Sequence, residues 1–301
     1  MNKNCELITF GPVHLEIQDL DQSLTFWRDL VSLDRLEAAN GSAALGIDGD
    51  PLVILHRSAT KRVQRGYSGL FHVAINLPTE AELARVLARL RATGHRFGAV
   101  DHIVAKSLYM NDPDGIGLEL TFETPERVRS YRWDEGDESA IVIDAEGRSR
   151  RGVEPLATED VLANLPDGNV VRPLPPGTHV GHLQLQVGNL ASSYAFYRDG
   201  IGLIPNLYAP WAGYGDLGAG GRVAHRIALN TWQGTGVPPR QPGVAGMRSF
   251  TIRFHSSERL RDAIARLGNV EQRDAEYVGH DPDGNAIVLA YAASPRLKDA
   301  R

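Results

Sequence analysis

Two histidines and one glutamate have the types and positions expected of ligands for a divalent metal ion. His14 lies in VHLEI, where apolar and polar residues alternate as in a half-buried strand, and His72 holds the same place in FHVAI. Glu119 lies in a third apolar run, GLEL. Two imidazoles and one carboxylate suit Fe(II) or Mn(II) and leave coordination positions open. Taken singly, each residue has an ordinary interpretation as a buried or surface polar side chain.

An internal repeat makes the combination informative. Residues 13–33 match residues 183–203 without a gap, and Asp-Pro-Asp-Gly occurs at both 112–115 and 281–284. The chain therefore contains two copies of one sequence pattern, and this repeat determines the fold organisation that we expect. At the places of the three candidate ligands the second copy has Gln184, Thr251 and Val288. Because all three change together, we expect one metal site in the first copy and its loss from the second.

The elements that would position these residues follow the same order in each copy. Val13–Ile17 alternates as a strand, and a helix follows near Asp21. A second helix starts at Thr79, with Glu82 at capping-box spacing. The first helix has one apolar face, formed by Leu20, Leu24, Trp27 and Val31. The pattern predicts an α+β fold of four βαβββ units arranged as two similar domains, each a curled mixed sheet around a cavity.

Composition shifts predict the domain limits. Residues 1–125 form the N-terminal domain with the metal site, and residues 176–301 form the C-terminal domain with the ligand set lost. Residues 126–175 are charged and turn-rich, as in DEGDES and RPLPPG, and form a connector. Because the connector also contains Tyr131 and Trp133, we expect it to pack across the domains.

Composition also limits the partners. The 301 residues are 42% hydrophobic and 23% charged with a net charge of −5, which excludes a disordered chain and predicts no nucleic-acid or membrane-surface partner. No apolar run approaches the ~20 residues that span a bilayer, and the polar start MNKNCELITF is unlike a signal peptide, so we expect a cytoplasmic protein. The single Cys5 excludes an internal disulfide and cysteine-rich zinc sites. Exposed sheet edges make a homo-oligomer a fair expectation.

The sequence resembles the vicinal oxygen chelate superfamily, and within it the two-domain extradiol dioxygenases of the catechol 2,3-dioxygenase type. The likeness covers nearly the whole chain and rests on the segments VHLEIQDLDQSLTFWRDLVSL, GLFHVAINLP, DHIVAKSLYMNDPDGIGLEL, GHLQLQVGNLASSYAFYRD and HRIALNTW. The resemblance implies metal ligation by His14, His72 and Glu119, and catalytic places for His102 and Tyr109 beside the substrate. His102 could equally be a loop histidine, and Tyr109 a packing residue of a strand.

The implied activity is Fe(II)-dependent ring cleavage of a catechol-like aromatic diol with O2, as in aromatic compound catabolism, with Mn(II) as the alternative metal. A glyoxalase-like isomerase or thiol transferase is a second interpretation, although Leu52–Leu55 does not provide the fourth ligand expected there. A third is an aromatic-drug-sequestering resistance protein, which would bind without metal and consume no O2.

Two departures from the family pattern leave questions open. The candidate ligands lie in the N-terminal copy, whereas many extradiol enzymes keep their metal in the C-terminal domain. His56 follows the strand in which relatives often have a catalytic histidine, so its contribution is left open. His182 and His225 could form a remnant site in the second copy or be ordinary polar residues. On this view, His14→Ala or Glu119→Ala should abolish metal retention and turnover.

Overall fold

The computed structural model describes residues 6–37, 41–137, 139–166, 168 and 170–292, so Cys5 lies outside the described residues. It confirms the predicted α+β architecture of four βαβββ units. Unit 1 consists of β1 (Ile8–Ile17), α1 (Leu20–Leu24, continued as a π-helix over Thr25–Leu30), β2 (Asp34–Leu36), β3 (Ser42–Ile47) and β4 (Asp50–Arg57). Unit 2 consists of β5 (Gly69–Asn76), α2 (Glu80–Ala92), β6 (Gly98–Asp101), β7 (Ala105–Asn111) and β8 (Gly117–Glu123).

The connector and the second copy complete the chain. The connector holds a 3-10 turn (Pro125–Arg127), β9 (Val128–Arg132), β10 (Ile141–Asp144), β11 (Ser149–Arg151), β12 (Glu154–Pro155) and α3 (Thr158–Leu162). Unit 3 holds β13 (His179–Gln186), α4 (Leu190–Ala195, continued as a π-helix over Phe196–Ile201), β14 (Ile204–Ala209), a 3-10 turn (Pro210–Ala212), β15 (Tyr214–Gly218) and β16 (Ile227–Asn230). Unit 4 holds β17 (Gly246–Phe254), α5 (Ser257–Leu267), β18 (Glu271–Arg273), β19 (Glu276–His280) and β20 (Ala286–Tyr291).

The two large sheets do not follow the sequence repeat. One has the strand order β18-β19-β20-β17-β1-β4-β3-β2 and so combines units 1 and 4. The other has the order β12-β6-β7-β8-β5-β13-β16-β15-β14 and combines units 2 and 3. In each sheet the opening strands of the two units pair antiparallel, β1 with β17 and β5 with β13. Each curled sheet therefore takes one unit from each half of the chain, across the limits expected from the repeat.

The opening strands have one face in the core and one face on a concavity. On β13, Leu183 and Leu185 are fully buried against the helical layer, and they alternate with His182 and Gln184 on the other face. The equivalent residues of the two π-helical turns, Trp27 and Tyr197, are also fully buried. Burial of such a side chain contributes roughly 2–3 kcal/mol. The repeated residues are therefore largely those that build the core.

The repeated Asp-Pro-Asp-Gly turns connect the two units of each half. Asp112 Oδ1 accepts the backbone N–H groups of Asp114 and Ile116, which closes the turn before β8. Asp114 Oδ2 then accepts the N–H of Gln18, at the end of β1 in the other sheet. In the second copy, Asp283 accepts the N–H of Gly188 in the same way. The motif is repeated because it ties one sheet to the other.

The connector packs over the unit 2 and unit 3 sheet. Its strands β9, β10 and β11 form a small antiparallel sheet, and β12 pairs with the edge strand β6. Among the described helices, none is long and apolar enough to cross a bilayer.

The start of β8 requires a glycine, which gives a test of the packing under Glu119. A Cβ at Gly117 would lie 2.2 Å from the carbonyl oxygen of Phe71 and 3.2 Å from Cα of His72. Because backbone atoms cannot yield as a flexible side chain can, Gly117→Ala should lower the free energy of unfolding by about 1–3 kcal/mol. The measurement is urea unfolding. Gly98→Ala is the control, since its Cβ would meet Tyr109 at an ordinary 3.8 Å; equal stability of the two variants would contradict the prediction.

Candidate metal centre

Three buried side chains from units 2 and 3 converge on one point. Nε2 of His72 and Nε2 of His182 each lie 3.0 Å from Oε2 of Glu119, and the two nitrogens are 3.2 Å apart. Each of the three residues is at most 7% exposed. In the part of the chain that the structure describes, this is the one group of three such side chains close enough to share an ion.

Strand register explains the convergence. Ala74 on β5 lies opposite His182 of β13 on one side and beside Glu119 of β8 on the other. His72 is two residues from Ala74 and therefore points to the same face of the sheet. A one-residue slip in either pairing would turn one ligand to the opposite face. The methyl side chain of Ala74 leaves the centre of the group free.

The spacing fits an octahedral metal face better than a tetrahedral site. Donor atoms about 2.1 Å from a shared ion lie about 3.0 Å apart at right angles and about 3.4 Å apart at tetrahedral angles. The three observed separations are 3.0, 3.0 and 3.2 Å. Two histidines and one carboxylate on one face are the ligand set of non-haem Fe(II) oxygenases. The residues present thus fit a divalent ion with open positions.

The electrostatics of the group also suit a cation. Oε2 of Glu119 is buried and has no hydrogen-bond partner among the described residues, although two ring nitrogens lie close to it. Burial opposes ionisation, but the adjacent imidazoles of His182 and His72 outweigh it and hold the pKa of Glu119 well below its usual range. Burial lowers the pKa of His182 to about 3. An ionised carboxylate and a neutral imidazole are the forms that bind metal.

The three side chains form part of the wall of a cavity of about 350 Å³. Sheet residues form its floor, and the connector covers it with Tyr131, Trp133 and Val142. Aromatic rings stack along one side, with Tyr214 and Trp232 6.0 Å apart at an interplanar angle of 16°. A cavity of this size with a few convergent polar groups suits a single-ring ligand.

His102 and Tyr109 form a hydrogen-bonded pair on one side of the candidate ligands. Nδ1 of His102 lies 2.8 Å from the carbonyl oxygen of Gly152, so this nitrogen carries a proton that it donates to that oxygen. Nε2 of His102 lies 2.8 Å from the hydroxyl of Tyr109, whose ring lies 5.5 Å from that of His72. Burial and the charge of Glu119 raise the pKa of Tyr109 well above its usual value, so the phenol keeps its proton.

A second histidine is held on the other side of the ligands. Nδ1 of His225 lies 2.7 Å from Oδ2 of the buried Asp216, and the His225 ring lies 4.4 Å from that of His182. Asp216 also accepts hydrogen bonds from the backbone N–H of Leu207 and the side chain of Asn206. Because Nδ1–H of His225 donates to Asp216, Nε2 is the ring nitrogen that is free to accept a proton.

Comparison with known proteins agrees with the fold. Residues 9–120 match the sequence model of the Glyoxalase/Bleomycin resistance protein/Dioxygenase superfamily. The chain is 29% identical over 287 residues to a catechol-2,3-dioxygenase of Bacillus subtilis strain 168, covering 92% of this chain and 95% of that protein. Residues 9–120 are thus similar to that superfamily, and the whole chain is similar to one catechol-2,3-dioxygenase.

Two solved structures are similar to this chain over most of their length. A proposed dioxygenase of Bacillus subtilis is 12% identical with a TM-score of 0.63, covering 97% of this chain and 87% of that one. Glyoxalase I of Zea mays is 15% identical with a TM-score of 0.55, covering 94% and 92%. At these identities the likeness shows the fold alone.

The structure separates His14 from the other two residues that the sequence assigned as ligands. His14 lies on β1 in the sheet of units 1 and 4, with its Nδ1 2.9 Å from Nε2 of His56. The expectation failed because it paired units 1 and 2, whereas the sheets pair unit 2 with unit 3. His182 holds the third place instead.

The matching place in the other sheet lacks a complete ligand set. Beside His14, Glu16 and His56 occupy the register positions that Ala74 and Glu119 have in unit 2. Glu16 forms an ion pair with Arg240 at 2.8 Å. Burial and the nearby His56 and Arg248 lower the pKa of His14 to about 4. His56 therefore contacts His14, away from the cavity formed by units 2 and 3.

The sequence predicts His182 and His225 to be a remnant pair or ordinary polar residues. The alternation around His182 nevertheless indicates which face of its strand it lies on. In GHLQLQV, His182 precedes two apolar residues at alternate positions and so shares a face with Gln184, the residue opposite His72. The expectation paired GLFHVAI with VHLEI. Pairing GLFHVAI with GHLQLQV instead would have brought His72 and His182 together.

Metal retention distinguishes the observed group from the one expected from the sequence. His182→Ala should weaken binding of Fe(II) or Co(II) by more than about 100-fold, because it removes one of three donors. His14→Ala is the matched control and should retain metal, since it lies in the other sheet. Equilibrium dialysis with metal analysis measures both. Loss of metal in His14→Ala with retention in His182→Ala would overturn this assignment.

Proposed function

We propose that the protein is a metal-dependent extradiol dioxygenase, which uses O2 to open the ring of a catechol-like aromatic diol beside its two hydroxyl groups. The observation that carries the proposal is the face formed by His72, Glu119 and His182 in the wall of an aromatic-lined cavity. Similarity to a catechol-2,3-dioxygenase over 92% of the chain supports the same reaction.

His72, Glu119 and His182 would hold the ion, and we propose Fe(II), with Mn(II) as the alternative for this ligand set. When bound, the ion supplies the Lewis acidity and electron transfer that let an aromatic diol react with O2. The rest of the chemistry belongs to the cavity residues. Tyr214, Trp133 and Trp232 would enclose the ring of the diol and exclude water from it.

His225 is placed to remove a proton from the bound diol. Oδ2 of Asp216 accepts the hydrogen bond from Nδ1–H of His225, with the two atoms 2.7 Å apart, and so leaves Nε2 as the basic atom. Asp216 also stabilises the imidazolium that forms, because a buried carboxylate interacts strongly with a charge at this distance. The pair resembles in principle a catalytic histidine oriented by a carboxylate.

His102 and Tyr109 are placed to supply a proton on the opposite side. The Tyr109 hydroxyl stays protonated and is joined to Nε2 of His102 by one hydrogen bond, so its O–H is the proton that the pair would present to the cavity. The Gly152 carbonyl fixes the other nitrogen of His102. One side of the cavity therefore accepts a proton while the other returns one, which ring opening requires.

The two other interpretations of the sequence receive less support. A glyoxalase-like isomerase would use a fourth protein ligand, and the group of described residues contains three. A sequestering protein has no need of two histidines with fixed proton positions on either side of a ligand face. A cytoplasmic location, a homo-oligomeric state and the use of a small aromatic substrate with O2 remain parts of this proposal.

The test is anaerobic loading with Fe(II), addition of catechol, and admission of air while O2 uptake and a yellow ring-opened product are followed. We expect uptake with a yellow product in the unaltered protein and neither in His182→Ala. Metal binding without uptake across a panel of catechols would favour an isomerase or thiol transferase. Diol binding without metal and without uptake would favour sequestration.

The two flanking histidines should affect turnover rather than metal binding. His225→Asn and His102→Asn should each lower kcat about 100-fold, because general acid or base catalysis contributes at least that much. Both should retain Fe(II), since neither is one of the three donors. Steady-state O2 uptake, with metal analysis of the same samples, measures this. The exposed His280→Asn is the control, and unchanged kcat in both variants would remove these roles.

A further inference from the structure

The charged side chains that line the cavity are all acidic. Glu119, Glu123 and Asp216 border it, and no lysine or arginine does so among the residues that the structure describes. Glu119 belongs to the metal group, and Asp216 holds His225. A negative group on a ligand would therefore meet carboxylates and aromatic rings.

The guanidinium of Arg226, which contacts the lining residue Glu123, is already neutralised. Its Nη1 lies 2.5 Å from Oε1 of Glu123, and its Nη2 lies 2.5 Å from Oε1 of Glu6. The Arg226 side chain is 6% exposed and is directed to a separate cleft, which it lines together with His179 and His255. Two carboxylates share this one cation, so it has no charge left for a ligand in the cavity.

Much of the remaining wall is aromatic or aliphatic, and its polar side chains, such as Thr121, Gln184 and Asn206, are uncharged. Trp133 packs on Tyr214 at 5.5 Å, and Val142 and Val223 are buried in the lining. The mouth carries Val153 and Trp232, which are 55% and 54% exposed. An ionised group placed against such walls loses its hydration and gains no cationic partner, which is unfavourable.

We propose that the site selects catechols whose ring substituents are uncharged and rejects catechols that carry a carboxylate on the ring. This inference rests on the proposed function, because it names the substrate class of the same site. The discrimination arises from the absence of a cationic partner and from the acidic lining, rather than from the size of the substituent.

The experiment compares 3,4-dihydroxybenzamide with 3,4-dihydroxybenzoate, which have nearly the same shape and differ by one negative charge. Dissociation constants are measured without O2 on the Fe(II)-loaded protein, and kcat/KM is then measured after air is admitted. We expect the amide to bind and to react about 100-fold better, since an unpaired buried charge costs several kcal/mol. Equal constants for the two diols, or a preference for the benzoate, would overturn the proposal.

A rim variant tests the electrostatic cause. Val153→Arg places a cation at the mouth, and Val153→Gln is its neutral control of similar length. We expect Val153→Arg to raise kcat/KM for the benzoate about 10-fold relative to the amide, because it supplies the missing partner. Val153→Gln should leave the ratio unchanged. The same ratio in both variants would show that charge is not the cause.

The two measurements separate this inference from the proposed function. Selective binding of the amide without O2 uptake from any catechol would uphold the selectivity and contradict the dioxygenase. O2 uptake with both diols at equal efficiency would uphold the dioxygenase and contradict the selectivity. Failure of both diols to bind the metal-loaded protein would contradict both.

Discussion

The antiparallel pairing of β5 with β13 is the contact on which the site depends. It sets His182 opposite Ala74 and thereby diagonal to His72, while the parallel neighbour β8 sets Glu119 on the other side of Ala74. Diagonal neighbours across an antiparallel pair are within reach of long side chains. The cavity, its aromatic wall and its two flanking histidines are arranged around this seam, because units 2 and 3 form one continuous sheet.

The sequence predicts what is local and periodic. The four βαβββ units, the helix that begins after Thr79 and two of the three candidate ligands, His72 and Glu119, follow from alternation, capping and repetition. The identity of the third candidate ligand does not follow from the sequence. The residue pattern of an opening strand does not depend on which strand it pairs with in the sheet. The two units of each half lie in different sheets, so the comparison that favoured His14 joined strands that do not pair.

For the same reason, the roles of Asp216 and Arg226 could not be predicted from the sequence. Asp216 contacts Asn206, Leu207 and His225 through a folded hairpin, and its role depends on those distances. From the sequence, Arg226 is a cation that could serve a ligand. Only its ion pairs with Glu6 and Glu123 show that its charge is already used. The sign of the field in a cavity depends on which charges are already paired, and only coordinates supply that.

The position of the candidate ligands at the seam would couple metal binding to the stability of the fold. His72 and His182 are 110 residues apart in the chain, and they meet across the junction of the two halves. An ion bound by the folded chain but not by the unfolded one stabilises the fold by mass action. The ion would thus act as a non-covalent cross-link that closes a long loop. The junction between the halves would loosen first under chelation, ahead of either hydrophobic core.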